Sequence, residues 1–430
     1  MRISAKVRML LVGLLVMVMG GAMAQRDQLQ YFRSKGQDGL NVFETPKTTD
    51  IEYDDFHLQI GGAFALQYQG ISHENAADNL AELAKNFNLA TANLDLDAQL
   101  APGVRMHLRT FLSSRHHTEA YVKGGYLQVD RLDFIKDGFA SGLMDMLTLK
   151  VGHMETNYGD THFRRSDNGN ALYNPFVGNY LMDSYTTEVA GEAYIQKNGL
   201  LVMLGYSNGR LNQSTTDTNT KGYFYGKLGF DKQLSDDLRL RITGSILSTN
   251  KNSRINIYAG DRAGARYYHV MELADASGDD FRSGRINPGF VTEMTSFMIN
   301  PFIKFQGLEI FGVFETSSGL NEGTTNPGPD AGLTDRRSWT QTGAEVIYRI
   351  GENEKVFVGG RYNSASGQLP GVQDDKVSIN RINIGGGWFM TKNVLTKLEY
   401  VSQTYNDYPT GSTFEDGKFN GLVLEAVIAF

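Results

Sequence analysis

Residues 419–430 read FNGLVLEAVIAF and alternate as a β-strand does. Successive side chains of a strand point to opposite faces, so every second residue shares a face. One face carries Glu425 among small residues, whereas the other is an apolar row of Leu422, Leu424, Ala426, Ile428 and Phe430. In a water-soluble sheet a second layer would have to cover that row. The pattern therefore indicates a strand with one apolar and one wet side.

The same alternation recurs along the chain from Leu58 onward and predicts sixteen strands of roughly 9 to 11 residues each. Short turns follow the even-numbered strands, and the two longest connections, 153–185 and 249–291, follow odd-numbered ones. The connection 131–146 is the one long turn on the short side. An even strand count with this asymmetry predicts an all-β, antiparallel transmembrane barrel over residues 57–430.

The first residues have the pattern of an export signal. Arg2, Lys6 and Arg8 precede an apolar run, and Ala22-Met23-Ala24 supplies a small-x-small cleavage site. We expect residues 1–24 to be removed and 25–56 to be a polar periplasmic segment. Export combined with a barrel predicts the outer membrane of a Gram-negative cell, surrounded by lipid and lipopolysaccharide. The terminal Phe430 is the expected assembly signal for the barrel assembly machinery.

Composition excludes several classes of function. The 430 residues include no cysteine, which removes disulfides, thiolate metal sites and cysteine nucleophiles. Acidic residues number 48 against 41 basic ones, so broad nucleic-acid binding is not expected. Nine prolines against 48 glycines suit strands joined by turns. No Gly-rich phosphate loop, nucleophile elbow or calcium loop occurs, so we expect no cofactor and no catalysis.

Two local motifs carry a resemblance to known proteins. Residues 147–159, LTLKVGHMETNYG, are similar to the strand-to-loop transition of phosphate-selective porins, and 382–390, INIGGGWFM, with the Phe430 ending resembles porin-like outer-membrane proteins. The layout resembles the sixteen-stranded general porins, in which the loop after the fifth strand folds into the lumen. That resemblance implies an inward-folded third extracellular loop at 153–185 and a homotrimer. The lysine run of phosphate channels has no counterpart here.

Taking the polar face of each strand as the inner face gives candidate pore-lining residues. Basic candidates outnumber acidic ones although the whole chain is acidic, and a basic wall favours anionic solutes. The alternative is that these charges only pair across neighbouring strands. The candidates are Arg105, Arg109, Lys150, Arg239, Arg241, Arg349, Arg361, Arg381, Glu345 and Glu425.

In the loop expected to fold inward, Arg164 and Arg165 could form the basic side of a pore constriction and Asp167 the acidic side. The alternative is a loop held by its own salt bridges. The arginines of 249–291 could bind a polyanionic headgroup, but a solvated outer loop is favoured. His116 and His117 have no third ligand at usable spacing, so no metal site is expected.

The sequence thus predicts passive diffusion of small hydrophilic solutes, with a weak anion preference. A second hypothesis is that the barrel binds or assembles other envelope proteins. A third is a hydrolase embedded in a barrel, because fold alone does not exclude catalysis.

Overall fold

The structure, a computed structural model, is a closed antiparallel barrel of sixteen strands in which each strand pairs with its sequence neighbours and β1 pairs with β16. The predicted sixteen strands are confirmed. Alternation of apolar and polar residues revealed them because each strand has one face toward the lumen and one face outside. The structure describes residues 29–113, 120–166, 170–210, 221–250, 255–259, 266–276, 283–323 and 326–430.

The strand bounds place connections of two to five residues at one end of the barrel, together with the longer 130–146, and the other longer connections at the opposite end. We call these the short-turn end and the long-loop end. Helical structure within the described residues is limited to two single-turn 3₁₀ helices, Gly36–Gly39 and Thr161–Arg164, and one α-turn, α1 (Ser141–Met144). The strands are β1 His57–Glu74, β2 Asn86–Ala101, β3 Val104–Ser113, β4 Tyr121–Val129, β5 Leu147–Glu155, β6 Thr187–Lys197, β7 Leu200–Ser207, β8 Tyr223–Gln233, β9 Leu238–Thr249, β10 Glu293–Phe305, β11 Leu308–Leu320, β12 Arg337–Ile350, β13 Val356–Gly367, β14 Val377–Thr391, β15 Val394–Asn406 and β16 Lys418–Ala429.

Pairing between the first and last strands, β1 and β16, closes the barrel. Residues Gln67 and Glu425 are opposite each other in the β1–β16 ladder, and both side chains are buried inside. The backbone of Phe430 exchanges two hydrogen bonds of 2.9 Å with Gly62, and its ring is 43% exposed on the outside. The closing strand predicted from 419–430 is confirmed.

The outer face of the barrel is apolar. Large side chains such as Ile60, Leu204, Phe224 and Leu228 are 60% or more exposed, which is unusual for a protein surrounded by water. Aromatic residues mark the short-turn rim of this surface, as they do at a membrane interface: Phe56, Phe230, Phe305, Tyr348, Trp388 and Phe430. This surface is suited to lipid, and the charged residues in the middle of the strands face inward.

The structure corrects two local expectations near the barrel ends. The helical spacing of Leu80 and Leu83 predicts a short helix within 75–85, but the structure has none there, and Leu80 instead forms an extended bridge with Leu273. Alternation predicts a second strand from Ala90 to Ala98, whereas β2 begins earlier, at Asn86. A register shift between Ala65 and Leu66 of β1 exchanges the two faces of β2 and obscures the pattern there.

A third correction concerns the segment 25–56, expected to be a periplasmic lead-in. Its described part lies against the inner wall of the barrel, with Leu29 and Phe43 only 4% and 3% exposed. We call residues 29–49 the collar. Residues 50–56, more exposed, connect the collar to β1.

Candidate functional site: a cavity beside the collar

The collar passes around the inner wall near the short-turn end. It starts beside the β2–β3 turn, where Gln30 accepts a hydrogen bond of 2.9 Å from the backbone of Gly103. Farther on, the backbone N–H of Gln37 donates to the carbonyl of Lys392 in the β14–β15 turn, at 2.7 Å. The collar then returns to β4, where Lys47 pairs with Asp130 at 3.0 Å.

The tip of the collar, residues 41–44, lies across the lumen, against β8, β9 and β11. Asn41 donates to Glu309, and the backbone carbonyl of Asn41 accepts from Arg239 at 2.9 Å. Glu44 pairs with Lys227 at 3.1 Å and with Arg241 at 2.8 Å. The tip therefore forms ion pairs and hydrogen bonds with charged wall residues that would otherwise face the open lumen.

The loop between β5 and β6, residues 156–186, enters the lumen from the long-loop end, as the resemblance implied. We call it the inner loop. The backbone N–H groups of Val177, Leu181 and Met182 donate to Glu399, Asn363 and Gln341 on the opposite wall, at 2.8, 2.6 and 2.7 Å. These bonds fasten the inner loop to β12, β13 and β15.

The second long connection, between β9 and β10, also enters the lumen at its described residues. Tyr258 donates to Glu315 and Tyr267 to Glu399, each at 2.6 Å, and Arg266 pairs with Glu425. The expectation of a solvated outer loop is wrong for these residues. Arg254, Arg262 and Arg282 lie outside the described residues.

These insertions leave a cavity with about 1230 Å³ of empty volume, part of it open to solvent, beside β2–β6. Both arms of the collar line it, through Phe32, Arg33 and Lys35 on one arm and Phe43, Glu44 and Thr45 on the other. A second cavity at the short-turn end shares Phe32 and Lys35 with it. The wall and the inner loop contribute Asp95, Asp97, Arg105, His107, Arg109, Lys123, Tyr126, Lys150, Glu155, His162, Phe163 and Tyr173.

Every carboxylate that lines the cavity has a cationic partner. Asp95 binds Arg109 at 2.6 Å and Lys35 at 2.6 Å. Asp97 binds Arg105 at 3.2 Å. Glu155 lies 3.8 Å from Arg109, and Glu44 is held by Lys227 and Arg241.

Two cations that line the cavity have no carboxylate partner within the described ranges. The Arg33 guanidinium donates only to the carbonyl of Gly39, at 3.0 and 3.1 Å, and lies 3.7 Å from the centre of the Tyr173 ring. The Lys150 ammonium lies 4.1 Å from the centre of the Tyr126 ring. Both side chains are half-buried, so the cavity carries uncompensated positive charge.

Ionisation outside the strands is consistent with this geometry. Burial lowers the pKa of Arg33, and the nearby Tyr173 and Glu155 oppose that shift. Burial alone would raise the pKa of Glu44, but Arg241 and Lys227 outweigh it and hold the pKa below its usual value. Burial lowers the pKa of His162, which favours its neutral form.

The residues predicted for the constriction are placed differently from the cavity lining. Arg164 pairs with Glu345 at 2.6 Å and donates to Asn41 of the collar at 2.5 Å. Arg165 pairs with Asp183 at 2.7 Å. Both are at most 4% exposed, and neither lines the cavity; Asp167 lies outside the described residues.

The predicted pore-lining residues divide into two groups, although all project inward. Arg105, Arg109 and Lys150 line the cavity. The others contact the collar, an inserted loop or a carboxylate on a neighbouring strand: Arg239, Arg241, Arg349, Arg361, Arg381, Glu345 and Glu425. Glu425, expected to face water, is fully buried between Arg266 and Lys397.

Sequence reasoning missed the collar's contribution, namely Arg33, Lys35 and Glu44. The available signal was the pair of apolar doublets Tyr31-Phe32 and Val42-Phe43 within an otherwise polar segment. Such doublets favour packing against protein, as Phe43 does with Phe302 at a ring distance of 5.4 Å.

Two negative findings concern the described residues. They contain no group of three histidine, aspartate or glutamate side chains placed to hold a metal ion, and His116 and His117 lie outside them. In the same ranges, no helix has the length and apolar character needed to span a bilayer.

No protein-family model and no curated protein sequence matches the chain. Among solved structures, the anion-selective porin from Comamonas acidovorans has a TM-score of 0.55 at 10% identity, covering 87% of this chain and all of that one. The outer-membrane channel DcaP of Acinetobacter baumannii has a TM-score of 0.52 at 12% identity, covering 87% and 98%. OmpT, an outer-membrane protein of Vibrio cholerae, has a TM-score of 0.51 at 11% identity, covering 88% and 99%. This chain therefore has the sixteen-strand barrel fold of outer-membrane porins.

Proposed function

We propose that this protein is an outer-membrane channel for passive diffusion of small hydrophilic solutes, with a weak preference for anions. The apolar outer face suits lipid, and the predicted signal peptide of residues 1–24 is consistent with export. The solved barrels of the same fold include an outer-membrane channel and an anion-selective porin. We further propose that the assembly is a homotrimer and that the protein is not an enzyme.

The observation that carries the anion preference is the charge balance of the cavity. Its four carboxylates are each paired, whereas Arg33 and Lys150 have no carboxylate partner in the described part of the chain. A fixed cation facing a confined aqueous space attracts mobile anions and repels mobile cations. The route that we propose runs along β2–β6.

This route replaces the constriction first expected at Arg164, Arg165 and Asp167. Arg164 and Arg165 do not line the cavity. Their ion pairs with Glu345 and Asp183 hold the inner loop in place. In the proposal, the narrow region is formed by the two arms of the collar, by the inner loop at His162 and Tyr173, and by β2–β5.

Single-channel recording of the purified, folded protein in a planar bilayer tests the proposal. We expect stable conductance steps and, in a salt gradient, a reversal potential on the anion-selective side. A folded barrel that inserts without conductance would refute the channel and favour a binding or assembly role. Cation selectivity would refute only the anion preference.

A further inference from the structure

The collar combines two properties that suit a filter. It is inside the barrel, where it limits the free cross-section, and it is outside the strand ladder, so the barrel closes without it. Apart from one 3₁₀ turn at Gly36–Gly39, the collar has no regular structure. Side chains and a few backbone hydrogen bonds attach it to the wall.

The rest of the collar is held where its beginning and end meet and where it passes the β14–β15 turn. The Gln30 amide donates to the carbonyl of Ile51 at 2.8 Å, which joins the beginning of the collar to the segment that leaves it. Gly36 has φ of 76°, and a Cβ there would lie 2.5 Å from the carbonyl oxygen of Lys392. A glycine is therefore required where the collar passes the β14–β15 turn.

The tip carries one carboxylate, Glu44, and the charge balance of the wall beneath it depends on that group. Lys227, Arg239 and Arg241 face the carboxylates Glu44, Asp160 and Asp231, so this cluster is neutral only while Glu44 is present. Lys227 and Glu44 are 0% and 4% exposed at the side chain. A buried cation that loses its partner is strongly unfavourable, so the docked tip and the charge of Glu44 are linked.

We propose that the collar sets the size limit of the passage and that Glu44 holds its tip in place. The inference rests on the proposed channel function, and it assigns the narrowest part to residues 29–49 rather than to the inner loop alone. Both arms of the collar border the cavity. Release of the tip therefore widens the passage toward β8 and β9 without breaking any strand pairing.

The test is Glu44→Lys in the full-length protein, because a lysine there would face Lys227 and Arg241 and expel the tip. Glu52→Lys is the matched control, since it makes the same charge change on the exposed connecting segment. We expect Glu44→Lys to raise the single-channel conductance about twofold or more, because conductance follows the narrowest cross-section. It should also admit larger polyethylene glycols than the control does.

Trypsin cleavage after Arg33 or Lys35, detected by mass spectrometry, reports whether the collar has left the lumen. Folding is checked by the gel shift on heating, and Glu44→Gln serves if the lysine variant does not fold. A released collar with unchanged conductance and polymer size limit would overturn the collar proposal and leave the channel intact. Folded variants and wild-type protein that all lack conductance would instead refute the proposed channel.

Discussion

Cations on opposite walls of the lumen bind different partners. On the β13–β15 wall, Arg361 and Arg381 donate to the carbonyls of Gly178 and Asn179 at 2.7 and 2.6 Å, and Lys397 donates to that of Ala171 at 2.9 Å. We call this side the filled half. On the β2–β5 wall, here the open half, cations pair with strand carboxylates or face the cavity.

The difference follows from what each wall faces. Arg and Lys side chains only donate hydrogen bonds, so the partners they find on an inserted loop are its backbone carbonyls and other acceptors. Buried carbonyls need donors, so the filled half uses its cations to satisfy the inner loop. The open half faces water-accessible volume, so a cation there can stay unpaired at low cost. The same residue type therefore stabilises the inner loop on one side and, in the proposed channel, attracts anions on the other.

The largest expected effect comes from breaking the filled half with Arg361→Gln. Arg361 is 2% exposed, binds Glu345 at 2.6 Å, and donates to Asn174 and Gly178 of the inner loop. Removing one partner of a buried pair costs about 3 kcal/mol or more. We expect a lower urea midpoint in the gel-shift assay for the barrel.

Arg361→Lys is the matched control, because it keeps the charge and loses the two-pronged donor geometry. Its loss of stability should be smaller than that of Arg361→Gln. Equal midpoints for wild-type protein and Arg361→Gln would show that the inner loop does not depend on this wall.

A smaller and different effect is expected in the open half from Lys150→Gln. The ammonium has an aromatic neighbour, Tyr126, and no carboxylate partner within the described ranges, so its removal leaves no buried charge unpaired. We expect the urea midpoint to stay unchanged. The anion-to-cation permeability ratio should fall by roughly twofold, because one fixed charge leaves the passage.

Lys197→Gln removes an exposed lysine at the end of β6, and it should leave the permeability ratio at the wild-type value. If Lys150→Gln lowered stability without changing selectivity, Lys150 would belong with the structural cations of the filled half. The comparison between the halves would then be wrong.

The sequence predicted the wall of the molecule better than its contents. Alternation identifies a strand because lipid demands an apolar side chain at every second position, and Leu422 to Phe430 satisfy that demand. No such demand acts on a segment inside a wet lumen, where polar residues suit solvent and wall equally. The collar therefore read as an irregular periplasmic segment, although Glu44 and Asn41 reach across the barrel.

Charged candidates show the same limit at single residues. Alternation correctly placed Arg109 and Arg381 on the inner face, but the partner of each side chain depends on which residues lie opposite it in three dimensions. Arg381 meets the carbonyl of Asn179, which is more than 200 positions away in sequence. The resemblance to general porins implied that 153–185 folds inward, but nothing in the sequence showed that Arg164 would be buried against Glu345.

The smallest effect is expected at His162, an inner-loop residue that lines the cavity. We call this place, where the inner loop borders the open half, the seam. Its ring nitrogens lie 3.0 Å from Asn157 and 3.5 Å from Glu155, and Lys227 and Asp160 are the other charged groups near it. Burial lowers its pKa in the folded protein, so the unfolded chain binds a proton first as the pH falls through about 6.5. Stability from neutral His162 is therefore present at pH 7 and is lost toward pH 5.

We expect His162→Gln to remove a pH-dependent difference on the order of 1 kcal/mol or less between pH 7 and pH 5.5. Glutamine retains hydrogen-bonding capacity toward Asn157 and has no proton to gain. The measurement is the urea midpoint of both proteins at the two pH values. Parallel pH profiles would mean that His162 titrates as freely in the folded barrel as in the unfolded chain. His162 would then be accessible to water, and Arg164 would be the first inner-loop residue that belongs to the filled half.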